Sequence, residues 1–587
     1  MSGTVPPAER APDTGSPWPV RLTTFVTVVL AGWPVWTAPH LRALGRRCSE
    51  APAHLWGLWV ATDGLFSHGP LLRDTAVGFP GHFRHHLIDP VHLLVFAPLM
   101  GLVDGPAGAV LAWNLVHVGW VGLGAWGTAV LARRLGFTGW SAAAWVACVA
   151  GGAAVAQHPE LGRSEYLPAL GLPWVLVGLW DAAHGARPLR GPAAGALLGL
   201  LTLSGPTLAL FTLPWVALVG LWWTRRWRVL AAVLVPGLVG ACVALAAIYA
   251  WPPQHLPDAL SGAGREAVQS AELLNLVGLG PPVRDLEHTL YLGIVALLMT
   301  GLGLVGDRRR AWPWVGLAAV LVLVGLGPEP TAAGRPLVGP LSVLTQMVDV
   351  LSSVAGWPRV AWLLGIPLGA CAAVGTGVVV ARARWAGPLV VAALLVDARS
   401  FPGARVQGDG DPTFSPALST ELQTVLQQLP NGPLATLPAT TPAAVEACPL
   451  DAPWLLRSVA TDRSVTATHG NPSDGLVGTG WLADGLALRP EHVLRHHRRS
   501  PIDPSCVREE VARLQALGVV AYVVDDSLPR GRPARAALTA LMGSPSVSEG
   551  TLAGWVLAEW LADAPVGDCP GVALPGARDQ RGGPTPR

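Results

Sequence analysis

Carboxylates and histidines are concentrated in residues 39–89, a polar segment that interrupts an otherwise apolar N-terminal half. The segment contains six of the 16 histidines and four carboxylates, Glu50, Asp63, Asp74 and Asp89. A carboxylate can act as a general base that removes a proton from a hydroxyl group, and a nearby cation can stabilise a departing anion. This segment is therefore where we first expect chemistry.

Three of these carboxylates, Glu50, Asp63 and Asp74, are candidate catalytic bases. Arg73 stands next to Asp74, so it can orient that carboxylate or contact an anionic substrate itself. The alternative for each carboxylate is that it solvates a loop or caps a helix. Asp63 before Gly64 is typical of a turn.

Three histidines in the same segment suggest a metal site. His82, His85 and His86 have the i, i+3, i+4 spacing that brings side chains to one face of a helix. Together with Asp89 they are candidate ligands for a divalent metal ion, because imidazole and carboxylate groups are common metal ligands. Prolines on both sides leave room for only a short helix, and the metal prediction depends on that helix.

Charged residues beside later apolar runs are candidates for binding the substrate, in particular a phosphate. They are Glu160, Arg163 and Glu165 in the loop 157–166, Arg284 and His288 before the run at 289, and Arg359 at the start of the run at 358. Ionisable groups at membrane depth are costly, and the planar guanidinium of arginine is suited to phosphate. The alternatives are an ordinary solvated loop at 157–166 and snorkelling of Arg359 to the membrane surface.

The composition is that of a polytopic α-helical membrane protein. Hydrophobic residues make up 51% of the 587-residue chain, charged residues make up 13%, and the mean hydropathy is +0.43. Soluble domains carry about 25% charged residues. At roughly 20 apolar residues per crossing, the apolar runs predict about 11 spans. They lie at 21–38, 106–132, 139–156, 167–183, 191–205, 207–223, 229–250, 289–305, 311–327, 358–380 and 386–397. A net charge of +2 gives no reason to expect a nucleic-acid partner.

Arginine clusters predict the orientation of the spans. They follow every second span, at 133–134, 187–190, 225–228, 308–310 and 382–384. Because cytoplasmic loops are enriched in basic residues, we expect those loops and a disordered N-terminal segment, 1–20, in the cytoplasm. The membrane domain then covers 21–397, and its first outward loop covers 39–105. Within that loop, the run 91–103 is too short for a crossing and predicts a re-entrant or interfacial helix.

Residues 398–570 are mixed polar and apolar, and we expect them to form one extracytoplasmic α/β domain before a disordered tail at 571–587. Asp503-Pro504 predicts the start of a helix and Gly518 its end. Residues 519–524 predict a buried strand, which a second helix at 534–542 and a hairpin at 549–550 follow.

Two further features of this C-terminal region bear on function. Outside the cytoplasm, Cys448, Cys506 and Cys569 can supply one disulfide, and the sequence leaves its pairing open. A basic cluster at 492–499 combines three histidines with three arginines. It is either a contact for anionic headgroups or a glycan, or a solvated basic face.

Four segments carry a resemblance when they are taken in order along the chain. They are His54-Leu55-Trp56-Gly57-Leu58-Trp59, Tyr291-Leu292-Gly293, Trp357-Pro358-Arg359 and Leu517-Gly518-Val519-Val520-Ala521-Tyr522-Val523-Val524. Over about residues 50–560 the chain resembles the GT-C superfamily of polytopic glycosyltransferases, especially the large bacterial membrane proteins of the YfhO type. Such proteins often have an acidic residue just before the His-x-Trp motif, and Glu50 stands near that place. The first loop has no Asp-x-Asp or Asp-Glu pair, which leaves the base and the use of a metal open.

The resemblance implies a transferase of the bacterial plasma membrane that takes a sugar from a polyprenyl-phosphate donor. Its acceptor would be a lipid, a glycan or a protein outside the cytoplasm, and His54 would lie at the substrate. Two other classes stay open: a lipid-glycan transporter or flippase, and a non-catalytic scaffold of the same fold. The spans are nearly free of Asp, Glu and Arg, which disfavours a proton-coupled pump.

Overall fold

The computed structural model is mostly helical. It describes residues 16–45, 51–67, 73–74, 83–84, 90–103, 106–152, 155, 164–185, 189–250, 276, 290–333, 335–347, 357–399, 413–414, 420–437, 486, 490–527, 530–567 and 569. Before residue 400 the helices are α1 (Trp18–Gly32), α2 (Ala51–Ser67), α3 (Pro90–Met100), α4 (Pro106–Arg134), α5 (Gly139–Ala150), α6 (Leu172–Ala183), α7 (Arg190–Leu203), α8 (Pro206–Trp223), α9 (Trp227–Ala250), α10 (Ile294–Gly306), α11 (Arg308–Leu326), α12 (Ser342–Met347), α13 (Ala361–Arg382) and α14 (Ala386–Arg399). Short 3₁₀ helices occupy Trp33–Val35, Ser164–Gly171 and Trp357–Val360.

A helix covers at least part of each apolar run that the sequence predicts as a span. Among the described residues, five helices are long and apolar enough to cross a membrane: Ala107–Arg134, Tyr166–Ala183, Trp227–Ala246, Arg308–Leu326 and Trp357–Arg382. Shorter apolar helices lie at Pro90–Met100, Gly139–Ala150, Thr207–Trp223 and Ile294–Gly306. The structure therefore supports a helical membrane protein, whereas the number of eleven crossings stays a prediction.

The first loop contains regular structure that corrects two expectations. Helix α2 runs without a break from Ala51 to Ser67, so the turn that was the alternative interpretation of Asp63-Gly64 is wrong. Residues 73–74 (β2) and 83–84 (β3) form an antiparallel pair. The helical spacing expected over residues 82–86 is therefore wrong at 83–84, because an extended chain directs successive side chains to opposite faces.

Close packing in the helical bundle depends on glycines. Most of α13 is buried, and it lies against α5 and α10. A Cβ atom at Gly369 would lie 3.0 Å from the Cβ of Cys148 on α5. A Cβ atom at Gly375 would overlap the carbonyl oxygen of Met299 on α10. Small residues at such positions let helix backbones approach closely, so this central helix is held by backbone contact as well as side chains.

An ion pair and aromatic contacts join the helices near the C-terminus of α4. Asp181 of α6 is buried and accepts hydrogen bonds from Nε and Nη2 of Arg134 at 2.8 and 3.3 Å. Nε of Arg190 lies 3.9 Å from the same carboxylate. Nearby helices meet through the rings of Trp145 and Trp314, whose centroids are 5.5 Å apart in an edge-to-face arrangement. This buried carboxylate is thus paired with two cations.

A four-stranded sheet lies in the C-terminal part of the chain. Its strands are β7 (Leu434–Leu437), β8 (Ala521–Asp525), β9 (Val547–Glu549) and β10 (Leu552–Val556), in the order β7-β8-β10-β9. β7 is parallel to β8, and the other neighbours are antiparallel. The accompanying helices are α15 (Thr420–Gln428), α16 (Pro490–Arg499), α17 (Pro504–Ala516), α18 (Gly531–Met542) and α19 (Leu557–Asp563). The remaining short strands are β1 (Ala43–Leu44), β4 (Thr331–Ala332), β5 (Arg335–Pro336) and β6 (Thr413–Phe414).

The two faces of this sheet are covered by different layers. Ala521 and Val523 belong to the same hydrophobic core as α15 and the helical bundle. Tyr522 and Val524, which alternate with them, belong to a second core with α16, α17, α18 and α19. The sheet therefore separates a layer that is continuous with the bundle from a layer on its far side.

Local signals around α17 act as the sequence predicts. The Asp503 carboxylate accepts hydrogen bonds from the hydroxyl and amide groups of Ser505, at 2.7 and 2.8 Å, and these lower the pKa of Asp503. Gly518, with a φ of +94°, follows the helix in the left-handed region that glycine favours. Cys506 in the first turn forms a disulfide with Cys569. The pairing that the sequence left open is thus decided for these two residues, and residue 448 lies outside the described residues.

Candidate functional site

Arg359 lies half-buried in the 3₁₀ turn Trp357–Val360 that leads directly into α13. Its Nη1 donates a hydrogen bond to the hydroxyl oxygen of Tyr166 at 2.8 Å, and its Cζ lies 5.6 Å from the centre of the tyrosine ring. The ring of Trp362 is nearly parallel to that of Tyr166, with centroids 6.2 Å apart and an interplanar angle of 22°. One cation and two aromatic rings therefore meet at the start of α13, most of which is buried.

The position of Arg359 favours the binding of an anion. The N-terminus of a helix carries a partial positive charge, and its first N–H groups have no partner within the helix. A basic residue beside this N-terminus is therefore unfavourable for the helix by itself. The same arrangement attracts a phosphate, to which a guanidinium can donate two hydrogen bonds at once.

Tyr166 is held in place by the 3₁₀ helix Ser164–Gly171. This helix packs closely on α4, because a Cβ atom at Gly124 would lie 2.9 Å from the Cβ of Leu170. Tyr166 itself is 4% exposed. The tyrosine hydroxyl is thus a fixed partner for Arg359. Glu165, one of the predicted substrate-binding residues, directly precedes Tyr166 in the same 3₁₀ helix. Its backbone is therefore next in the chain to the residue that contacts Arg359.

The segment before α10 runs beside the Arg359 turn. A Cβ atom at Gly325 would meet side-chain atoms of both Leu290 and Val360, at 2.7 and 2.8 Å. Next to Leu290, the hydroxyl of Tyr291 donates to the Asp397 carboxylate at 2.6 Å, and the same carboxylate accepts from the Val295 amide at 2.9 Å. The Tyr291-Leu292-Gly293 segment therefore joins the start of α10 to the end of α14.

Asn114, in the middle of the apolar helix α4, holds the start of the first loop. Its side-chain oxygen accepts from the Leu44 amide at 2.8 Å, and its amide nitrogen donates to the carbonyl oxygens of Pro39 and Arg42 at 2.8 and 2.7 Å. The indole of Trp113 donates to the Leu44 carbonyl at 2.8 Å. Our sequence interpretation missed this residue. A polar amide within an apolar run is the signal that can reveal it.

The same part of the first loop pairs with the chain that leads to the C-terminal sheet. Strand β1 is antiparallel to β6, with Ala43 opposite Phe414 and Leu44 opposite Thr413. Leu44 therefore contacts α4 on one side and β6 on another. The loop that carries the candidate bases is thus joined to both parts of the protein before α2 begins.

Three histidines from α2, α3 and α4 are buried together in the bundle. His54, His92 and His117 are 3%, 0% and 3% exposed. His54 and His92 lie close enough to interact electrostatically with His117, whose Nδ1 is 2.8 Å from the Trp113 carbonyl oxygen. The sequence predicts a substrate-binding role for His54 and does not single out the other two. The structure places His54 in a helix and inside the protein rather than on a loop.

The structure describes the predicted site residues to different extents. The side chains of His54 and Arg359 are described. For Asp63 in α2, Arg73 and Asp74 in β2, and Glu165 in the 3₁₀ helix, the structure describes the backbone. The predicted residues that lie outside the described residues are Glu50, His82, His85, His86, Asp89, Glu160, Arg163, Arg284 and His288. The roles assigned to all of these residues stay predictions.

No protein-family model and no curated protein matches this sequence. Solved structures do match. The structure of the arabinofuranosyltransferase AftD from Mycobacteria has a TM-score of 0.52 at 14% sequence identity, over 92% of this chain and 40% of that chain. This chain has a GT-C fold. It spans less than half the length of the mycobacterial protein, and the likeness shows the fold alone.

Structures of the oligosaccharyltransferase AglB from Archaeoglobus fulgidus also match. The apo form has a TM-score of 0.47 at 12% identity, over 86% of this chain and 69% of that chain. The complex with an inhibitory peptide and a dolichol-phosphate has a TM-score of 0.44 at 13% identity, over 90% of this chain and 71% of that chain. These two matches, with TM-scores below 0.5, carry no further argument, and the YfhO type stays a prediction.

Proposed function

We propose that this protein is a membrane glycosyltransferase that moves a sugar from a polyprenyl-phosphate donor to an acceptor outside the cytoplasm. The observation that carries the proposal is the position of Arg359, a guanidinium in the 3₁₀ turn that leads into the buried helix α13 and bonded to Tyr166 at 2.8 Å. Transfer from a lipid phosphate needs a cation at the departing phosphate. The GT-C fold supports the same class of reaction.

In the proposed reaction, Glu50, Asp63 or Asp74 of the first loop removes the proton from the acceptor hydroxyl. The hydroxyl oxygen then forms a bond to the anomeric carbon of the sugar while the bond from that carbon to the phosphate oxygen breaks. Both electrons of the broken bond leave with the polyprenyl phosphate. Arg359 stabilises the negative charge on this leaving group, and the other cations predicted at the substrate, Arg73 and Arg163 among them, would share that role.

A divalent metal ion is a separate part of the proposal. Among the described residues, no three His, Cys, Asp or Glu side chains could hold one metal ion together. Residues 83–84 form a strand, and His82, His85, His86 and Asp89 lie outside the described residues, so a metal site at these four residues stays a prediction. Any metal bound by these histidines and Asp89 would add positive charge near the donor phosphate. No step of the proposed reaction depends on a metal ion.

The proposed location is the bacterial plasma membrane, with the N-terminus in the cytoplasm and the C-terminal α/β part outside. The disulfide between Cys506 and Cys569 supports this orientation, because disulfides are rare in the cytoplasm and persist outside it. The proposed partners are the lipid bilayer, the polyprenyl-phosphate-linked sugar and a glycan, lipid or protein acceptor.

A second candidate function, a lipid-glycan transporter, has one observation in its favour. The buried trio of His54, His92 and His117 places ionisable groups inside the bundle, and ionisable side chains in such positions line substrate and proton pathways in transporters. A transporter would move the intact lipid-linked sugar across the bilayer. A transferase would cleave it.

Purified protein in nanodiscs, supplied with a panel of radiolabelled polyprenyl-phosphate sugars and candidate acceptors, distinguishes the two functions. The transferase predicts release of polyprenyl phosphate and labelled acceptor, with loss of transfer in one of the variants Glu50→Gln or Asp74→Asn. Parallel reactions with EDTA test whether transfer requires a divalent metal ion. Donor that is never cleaved by a well-folded preparation, but crosses the bilayer of proteoliposomes, would establish the transporter instead.

A further inference from the structure

Helix α16 (Pro490–Arg499) carries dense positive charge on its exposed side. His492, Arg495 and Arg499 have the i, i+3, i+7 spacing of one helical face, and all three are exposed, as is Arg498. The opposite side is anchored in the protein, because Val493 is 1% exposed in the core of the far-side layer. The structure thus presents a basic stripe about 10 Å long, at 1.5 Å per residue of helix.

Several other arginines of the C-terminal part have partners within the protein. Arg513 forms an ion pair with Glu510 at 3.3 Å, and Arg535 forms one with Asp526 at 2.7 Å. By contrast, none of the three arginines of α16 forms an ion pair or hydrogen bond with any residue that the structure describes. Their charge is therefore available to a partner.

The stability of α16 does not account for this charge. The helix dipole favours basic residues in the last turn, where Arg498 and Arg499 lie. It does not favour His492 near the start of the helix, and it has little effect on Arg495 in the middle. Positive charges three and four residues apart also repel one another along a helix.

The location of α16 indicates the kind of partner. The core that α16 shares lies on the face of the sheet opposite the core that includes α15 and the bundle. The stripe therefore belongs to the layer remote from the membrane domain, which favours a partner in the aqueous compartment over the lipid surface. Guanidinium groups bind carboxylates and phosphates in bidentate fashion, and a polymer with repeated charges can contact several of them at once.

We propose that α16 binds an anionic polysaccharide, a chain with repeated carboxylate or phosphate groups, through Arg495, Arg498 and Arg499. That this polymer is the acceptor or product of sugar transfer rests on the proposed function. The binding of the polymer to α16 does not depend on the proposed function, because the surface consists of exposed charged side chains outside the Arg359 site.

The test is the binding of fluorescein-labelled polygalacturonate to the full-length protein in phosphatidylcholine nanodiscs, followed by fluorescence anisotropy without donor. We expect binding that weakens with added NaCl, and no binding of labelled neutral dextran. The variant Arg495→Gln/Arg499→Gln should raise the Kd at least roughly tenfold. The variant Arg495→Lys/Arg499→Lys, which keeps the charge, should retain most of the binding and shows that the helix folds when altered.

Arg382→Gln/Arg384→Gln is the matched control, because it removes two exposed arginines, at the end of α13 and in the turn after it, with the same change in net charge. It should leave the Kd unchanged. Equal binding by wild type and Arg495→Gln/Arg499→Gln, or an equal loss in the control, would overturn the proposal. So would α16-dependent binding of phosphatidylglycerol vesicles without binding of the polysaccharide, which would make α16 a membrane contact. Because no donor is present, a negative result leaves the proposed transfer reaction untouched.

Discussion

Arg359 and Tyr166 are 193 residues apart in the chain, yet the guanidinium donates to the tyrosine hydroxyl at 2.8 Å. The contact joins the 3₁₀ turn that leads into α13 to the 3₁₀ helix that precedes α6. It holds the guanidinium in one orientation at a helix N-terminus. This relationship between a fixed cation and a buried tyrosine is the basis of the first two predictions.

Replacing Arg359 with glutamine should lower the rate of sugar transfer by roughly 10²-fold or more, the usual effect of removing one group that stabilises developing negative charge. The physical reason is that the departing phosphate loses its cation. Arg359→Lys should recover only part of the rate, because an ammonium group lacks the planar pair of donors. Initial rates of sugar transfer from a radiolabelled donor, measured in nanodiscs, give the activity of both variants. A wild-type rate in Arg359→Gln would remove Arg359 from the site.

Tyr166→Phe removes the hydroxyl and keeps the ring, so it separates the positioning of Arg359 from packing. We expect roughly a tenfold lower rate, because a hydrogen bond to a charged group contributes about 1.5–3 kcal/mol. The thermal stability of the bundle should change little. If Tyr166→Phe in the Arg359→Gln background causes a further equal loss, the tyrosine does not act through Arg359, and this prediction is wrong.

Asn114→Leu should destabilise the protein and displace the first loop. The variant removes the partner of the buried Leu44 amide and of the part-buried carbonyls of Pro39 and Arg42. An unsatisfied buried group such as the Leu44 amide costs about 1–3 kcal/mol. Thermal unfolding in nanodiscs and hydrogen exchange at residues 39–45 measure the effect. Leu115→Ala is the control, since Leu115 lies on the same helix and is 38% exposed. Equal melting temperatures for both variants would contradict the prediction.

Gly375→Ala should weaken the packing of α13 against α10. The added Cβ would overlap the Met299 carbonyl oxygen, so the helices must separate, at a cost of about 1–3 kcal/mol. Gly316→Ala is the matched change on α11, where a Cβ atom has no neighbour within 4 Å. We expect that control to be neutral or slightly stabilising, because alanine favours helix over glycine. Thermal unfolding of the two variants side by side tests the difference. A higher melting temperature for Gly375→Ala than for Gly316→Ala would exclude close backbone contact at Gly375.

Removing the Cys506–Cys569 disulfide with Cys569→Ser should lower the free energy of unfolding of the C-terminal α/β part by about 2–4 kcal/mol. Hydrogen exchange at β8 amides measures this locally. Reductant should bring wild type to the level of the variant. Cys242→Ser, a change at an exposed free cysteine in the bundle, is the control and should have no effect. Insensitivity of wild type to reductant would show that the bridge does not form in the membrane-embedded protein.

Helix positions were predictable from the sequence to a useful degree, and the predicted GT-C fold is confirmed. The apolar runs coincide with helices, Asp503 caps α17, and Gly518 follows its end. The first loop was predicted less well. Helix α2 passes through Asp63 and Gly64, whose pattern is typical of a turn, because tertiary packing overrides a short local signal.

The candidate site was predictable in part. Arg359 stands out in the sequence because a charge at the start of an apolar run is costly. Its partner Tyr166 and the loop-binding Asn114 do not stand out by charge, and nothing near them in sequence reveals what they contact. Asn114 bonds to residues 72 and 75 positions away.

The sequence by itself therefore determined the membrane class, the positions of the helices and the local caps, because hydropathy and capping act over a few neighbouring residues. Only the tertiary structure decided that Tyr166 meets Arg359, that Leu44 lies between Asn114 and Thr413, and that Cys506 pairs with Cys569. Such contacts depend on how glycine-rich helices and the two faces of a sheet pack, and packing joins residues without regard to their distance along the chain.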